Sequence, residues 1–101
     1  MALFSIGRHE SENGLVIGLC DASILGKTIS CNEASLFVDP RFYGGSLINE
    51  DQLEDAFHSA YVINILGNDA VKACEAKNLI KKDSARSICG ILHVQLLIGQ
   101  P

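Results

Sequence analysis

The sequence predicts an α+β domain: a mainly antiparallel sheet made from both chain ends, packed against a central helical hairpin. Three observations predict it. β-rich segments bounded by turn signals occupy the first part of the chain and the last. An apolar stripe at helical spacing, with a capping signal ahead of it, opens at Asn49. Gly67-Asn68 then divides the helical stretch in two. Strands, then helices, then strand is the segregated order of an α+β fold rather than the alternation of an α/β one.

Each element has its own signal. Ala2–Arg8 is β-rich, and the polar stretch Glu10–Gly14 ends in Asn13-Gly14, a strong hairpin turn pair. Leu15–Cys20 is almost continuously apolar, as a strand buried on both faces should be. Asp21–Lys27 reads as a single helical turn closing at Gly26. Lys27–Cys31 and Ser35–Val38 are short strands around the polar Asn32-Glu33, and Pro40 stops the second.

Asn49 is an N-cap with Gln52 as its capping-box partner, and Glu50 and Asp51 suit the positive end of the helix dipole. Leu53, Ala56, Phe57, Ala60 and Tyr61 form one apolar stripe. Val62, Ile63, Ile65 and Leu66 widen it, so the end of this helix is expected to be buried nearly all round. Gly67 is the natural terminator. Asn68 caps a second helix, with Asp69 in its first turn and Ala70, Val71 and Cys74 facing inward. The two helices, from Asn49 to about Leu79, make the hairpin. Ser84–Ile88 and Ile91–Ile98 return to strand, split by Gly90. Alternation puts Leu92, Val94, Leu96 and Ile98 on one face and Ile91, His93, Gln95 and Leu97 on the other.

The whole chain, 101 residues of which 48% are apolar, reads as one domain, residues 1–101. That is enough to bury a core without a metal or a disulfide. Net charge is −4, with eight Lys and Arg scattered along the sequence, which disfavours broad electrostatic binding to a nucleic-acid duplex. No apolar run approaches the ~18 residues of a membrane span, and the N-terminus lacks the regions of a secretion signal, so a cytoplasmic protein is expected. A reducing compartment and the absence of any CxxC or CxxH pair argue for free thiols at Cys20, Cys31, Cys74 and Cys89 rather than disulfides or zinc. Three of them, Cys20, Cys74 and Cys89, sit in apolar runs and are expected to be buried small hydrophobes. No cofactor or metal is expected.

Cys20-Asp21, Leu25-Gly26-Lys27-Thr28, Phe42-Tyr43-Gly44-Gly45, Leu66-Gly67, and Gly90 followed by His93 and Gln95 together resemble the small archaeal family catalogued as domain of unknown function 424. The resemblance covers almost the whole chain. The family's last motif, Gly-Val-Pro-His-Ala-Gln, stands here as Gly90-Ile91-Leu92-His93-Val94-Gln95. Leu92 in place of proline favours a more regular strand before His93. The resemblance implies an archaeal cytoplasmic protein in the neighbourhood of translation, with RNA or a translation-associated protein as partner. It adds no catalytic residue.

Among candidate sites, Phe42-Tyr43-Gly44-Gly45 is the strongest local feature. Its glycines permit positive φ and close approach, and its aromatics can stack on a base or ligand ring. The plainer reading packs both aromatics under the first helix, Tyr43 being the more exposed. Leu25-Gly26-Lys27-Thr28 echoes a phosphate loop, but Asp21 occupies the place of the required glycine and β-rich residues follow. Lys27 remains a single exposed cation for an anion.

Cys20, Asp21 and His93 are the residue types of a nucleophile, orienter and base. Neighbours on a strand point to opposite faces, however, and any meeting of His93 with Cys20 depends on strand order. The plainer reading has Asp21 capping the Ala22–Leu25 turn. His93 and Gln95 share a face and, with Asn64 on the first helix, suggest a polar cluster. His9, Glu10 and Glu12 read as a solvated hairpin tip rather than a metal site. The expectation is a non-enzymatic binding module touching its partner through Lys27, Phe42, Tyr43, Gly44, Gly45, His93 and Gln95. The alternative is a small enzyme using Cys20 or His93. A third reading is a homo-oligomer paired through Leu92–Ile98 as an edge strand.

Overall fold

The computed structural model describes residues 3–98. Alternating apolar residues and a tight turn make the first hairpin, β1 (Phe4–Ser11) and β2 (Gly14–Asp21). Ser11 pairs with Gly14, so the turn residues are Glu12-Asn13 and the hairpin lies one residue earlier than Asn13-Gly14 suggests. A 3-10 turn at Ala22–Ile24 leads to β3 (Thr28–Cys31) and β4 (Ala34–Phe37), paired around Asn32-Glu33. Pro40 opens the single-turn helix α1 (Pro40–Tyr43), with Asp39 as its cap. Then come β5 (Ser46–Ile48), a 3-10 turn at Glu50–Gln52 and α2 (Leu53–Ser59). The capping box expected at Asn49 and Gln52 is present. β6 (Ala60–Leu66), α3 (Asn68–Ala76), β7 (Arg86–Ile88) and β8 (Ile91–Leu97) follow.

The α+β class holds, but the helical hairpin does not. Where the first helix was expected to continue, residues 60–66 run as β6 through the middle of the sheet. The stripe from Leu53 to Phe57 is helical as read. Tyr61, Val62, Ile63 and Ile65, β-branched or aromatic, are what a strand buried on both faces requires. A short apolar run cannot be assigned to helix or strand from periodicity alone. Gly67 therefore precedes α3, at φ 131°, instead of ending a helix.

The main sheet is mixed and six-stranded, in the order β5-β1-β2-β6-β8-β7. β2 and β6 run parallel; the other neighbours are antiparallel. Both edge strands, β5 and β7, have only three residues, which limits edge pairing. β8, the edge strand of the homo-oligomer reading, has β7 as a neighbour along Ile91–His93. β3 and β4 form a separate two-strand sheet.

One sheet face carries the main core. Phe4, Ile6, Ile17, Leu19, Ile63, Ile65 and Val94 meet Leu53, Phe57, Val71 and Cys74 from α2 and α3. Leu92, Leu96 and Ile98 flank it, as their alternation predicts. Cys20, Val38 and Leu66 form a second, smaller core on the opposite face, under Ile24, Leu25, Ile29, Leu36, Tyr43 and Ile91.

The cysteines divide. Cys20 and Cys74 are free and buried, as expected. Cys31 and Cys89, expected free, form a disulfide with Cα atoms 5.4 Å apart. Cys89 is not a core residue: it occupies a two-residue turn between β7 and β8, where Cys89 and Gly90 both have positive φ. The turn places it against the tip of the β3–β4 hairpin. No helix among the described residues is long and apolar enough to cross a membrane.

Candidate binding face

Register decides which side chains share the second face of the sheet. Ser5, Gly7 and His9 of β1 lie beside Gly18 and Cys20 of β2, then Asn64 and Leu66 of β6, then His93 and Gln95 of β8, and finally Arg86 of β7. Directly opposed pairs are Gly18 with Asn64, Cys20 with Leu66, Asn64 with Gln95, Leu66 with His93, and His93 with Arg86.

The β1–β2 half of this face is closed by α1. Gly7 and Gly18 carry no side chain, so the turn can lie on the strands. A Cβ on Gly18 would stand 2.6 Å from the Phe42 carbonyl oxygen and 2.7 Å from its ring, and one on Gly7 would collide with the same carbonyl. Ser5 Oγ donates to the Tyr43 carbonyl at 2.7 Å, and His9 Nε2 donates to the Phe42 carbonyl at 2.9 Å. The His9 and Phe42 rings stack nearly parallel, 6° apart at 5.1 Å, and Tyr43 meets Phe42 edge-on. His9, read as a solvated tip residue, is thus a packing residue. The two aromatics pack on the sheet face away from α2, and one face of the Phe42 ring is already taken by His9. Burial pushes the Tyr43 hydroxyl pKa up, with a smaller contribution from Cys20.

The β6–β8–β7 half is open. A cleft of about 400 Å³ is lined by Ser84, Arg86, Ile88, His93, Val94 and Gln95. None of these carries a carboxylate. Among the described residues the ion pairs are Arg41 with Asp39 and Lys77 with Glu54, so the Arg86 guanidinium is left to the cleft. His93 is half-buried, and burial lowers its pKa, favouring the neutral ring. Asn64 completes the polar group, as the sequence suggested, but from β6 rather than from a helix.

The residues proposed from sequence therefore separate. His93 and Gln95 line the cleft. Phe42, Tyr43 and Gly44 belong to the docked turn, and Gly45 borders another shallow cleft of about 250 Å³ with Ser5, Leu25, Ser46 and Leu47. Lys27 is exposed at the base of the β3–β4 hairpin, its carbonyl accepting from Val38 N. Arg86 was not foreseen. The signal for it was the Cys89-Gly90 pair: read as a two-residue turn, it sets Arg86 opposite His93.

The remaining constellation comes apart. Cys20 and His93 lie on the same face with Leu66 between them, two strand spacings or roughly 10 Å apart. The Cys20 thiol is fully buried and its pKa is pushed up to about 12, chiefly by burial and further by Asp21. A thiol in that state is no nucleophile. Asp21 points to the other face and does not cap the turn that follows it. Its carboxylate accepts from Asp69 N at 3.1 Å and Ala70 N at 2.7 Å, capping α3 from 48 residues away in sequence. Gly67 leaves room for it, since a Cβ there would lie 2.5 Å from the Asp21 carboxyl carbon. Asn68 is the first residue of α3 and clamps β8 instead: its Oδ1 accepts from Leu92 N at 2.8 Å and its Nδ2 donates to the Gly90 carbonyl at 3.2 Å.

Two comparisons bear on this architecture. Residues 9–98 match the model of a family described as protein of unknown function (DUF424). The fold is similar to the crystal structure of an uncharacterized conserved protein from Methanopyrus kandleri, with a TM-score of 0.80 and 24% identity over 99% of this chain and 96% of that one. No curated protein matches the sequence.

Proposed function

The chain belongs to the DUF424 family, and we propose that it is a non-catalytic binding module that takes a single-stranded segment of RNA on the open β6–β8–β7 face. The observation that carries this reading is the composition of the cleft: Arg86, His93 and Gln95 converge on it, Asn64 stands beside Gln95, and no carboxylate lines it. Single-stranded RNA offers base edges with both donors and acceptors, and phosphates between them. Amide side chains such as Asn64 and Gln95 pair with such edges in either sense, and the Arg86 guanidinium suits a phosphate or a base plane. The net charge of −4 restricts binding to this local surface and disfavours a duplex. The turn at Phe42-Tyr43 supports the face from the side; its rings are taken up in packing.

The test is fluorescence anisotropy with a labelled single-stranded oligoribonucleotide of mixed sequence. Binding is expected to weaken by about tenfold in Arg86→Ala and in His93→Ala. Lys72→Ala, on the far side of the sheet, should leave it unchanged. No binding by the wild type, or equal binding by all variants, ends the RNA reading.

A further inference from the structure

The β3–β4 hairpin stands apart from the main sheet. It pairs only with itself, and an isolated two-strand hairpin is marginal in water. Its base is held by two backbone bonds, Gly26 N to the Val38 carbonyl at 2.8 Å and Val38 N to the Lys27 carbonyl at 2.9 Å. Ile29 and Leu36 pack it on the small second core. Towards its tip, Asn32, Glu33, Ala34 and Ser35 are all exposed. What ties the tip to the sheet is the Cys31–Cys89 disulfide, the one such bond among the described residues. Both cysteines are only half-buried, unlike Cys20 and Cys74. Cys89 belongs to the turn joining β7 to β8, directly after Ile88 of the open cleft and just before Ile91 of the second core.

We infer that Cys31–Cys89 is a thiol–disulfide exchange site, open to a small or protein dithiol, and that its reduction releases the tip of the β3–β4 hairpin from the β7–β8 turn. One thiolate of the dithiol attacks one cysteine sulfur and displaces the other as a thiolate. The second thiol of the reductant then resolves the mixed disulfide. The reductant is oxidised to its own disulfide, and its two thiol protons end on Cys31 and Cys89. The bond lost is the only covalent restraint between hairpin tip and sheet, so the tip frays while the six-strand sheet keeps its pairing. The oxidised chain has a fixed wall beside Ile88 and Ile91; the reduced chain has a mobile one.

The inference stands apart from the RNA reading, since its test needs no ligand. The full chain is treated with dithiothreitol under native conditions, alkylated with iodoacetamide, and mapped by peptide mass spectrometry. Native hydrogen exchange is followed in parallel. Cys31 and Cys89 should be labelled while Cys20 and Cys74 are not. Amides of Ser30–Leu36 should exchange about tenfold faster after reduction, those of Ile17 and Ile65 should remain far slower than the hairpin amides, and reoxidation should restore the first set. The Cys31→Ser/Cys89→Ser variant should show the fast hairpin exchange without reductant. Two results overturn the inference: labelling of Cys31 and Cys89 only together with the buried pair, or hairpin exchange that is the same in oxidised and reduced protein.

Discussion

The two faces of the main sheet are built on different principles. The face under α2 and α3 is closed by interlocking apolar side chains: Ile17, Leu19, Ile63 and Ile65 are fully buried against Leu53 and Val71. The opposite face is closed over only part of its area, by a single helical turn lying on two glycines and by a hairpin tied through a disulfide. Burial of apolar area is the dominant stabilising term, so the first face sets how stable the chain is. The second depends on a few close contacts, and where these stop it leaves Arg86, His93 and Gln95 accessible. One sheet thus keeps its stability and its contact surface on opposite sides.

The largest expected effect tests that division directly. Ile65→Ala on the helix-covered face should cost about 3–5 kcal/mol. Leu97→Ala on the open face, where the side chain is 66% exposed, should change stability by no more than about 0.5 kcal/mol. Urea unfolding of both variants measures the gap, and similar losses would contradict the division. Next in size is removal of the disulfide. It closes a separation of 58 residues, and Cys31→Ser/Cys89→Ser should lose about 2–4 kcal/mol, chiefly through a less restricted unfolded chain. A loss well below 1 kcal/mol would mean that docking of Ile29 and Leu36 alone holds the hairpin.

Gly18→Ala should cost about 1–3 kcal/mol, because the new methyl group meets a backbone carbonyl as well as the Phe42 ring. Thermal melts check it, and a Gly18→Ala variant as stable as the wild type would show that α1 can lift without penalty. Asp21→Ala should cost about 1–2 kcal/mol, since two N–H groups at the start of α3 lose their acceptor. Its largest change in hydrogen exchange should fall in the first turn of α3.

Much of this was legible in the residues. Alternation placed Leu92, Val94 and Leu96 on the core side, and the Asn49–Gln52 box marked the 3-10 turn that leads into α2. Two kinds of information were not local. The first was β6: Tyr61–Leu66 continues a helical stripe in one dimension and becomes a strand only because β2 and β8 are present to pair with it. Propensity gave a hint, in Val62, Ile63 and Ile65, but tertiary pairing decided. The second was pairing at long range. Nothing near Asp21 indicates that its carboxylate caps a helix 48 residues on, and nothing near Cys31 names Cys89. Both follow from strand order, because β2 and β6 run parallel and the β7–β8 turn comes to the hairpin tip. The polar group of Asn64, Gln95 and His93 was anticipated with the wrong support: a helix and a strand were expected to present it, and two strands and an edge hairpin do.

The smallest effect concerns His93, where the open face retains a trace of burial. Its pKa is lowered by desolvation, so the unfolded chain takes up the proton first as pH falls below the usual histidine value of about 6.5. Over the interval between the unfolded and the folded pKa the unfolded state binds more protons, and stability must therefore decline as pH falls, levelling off once the folded ring is also charged. The difference between wild type and His93→Gln isolates the contribution. Above pH 7 the two melting temperatures should run parallel; as pH falls below about 6.5 the wild type should fall more steeply, until the folded ring is charged as well. The same protonation adds a second cation beside Arg86, its neighbour across β7 and β8. A buried, helix-covered face could not take that charge without a much larger penalty. Parallel melting curves through the acidic range would mean that His93 is as well hydrated folded as unfolded, and that the cleft is wet to its floor.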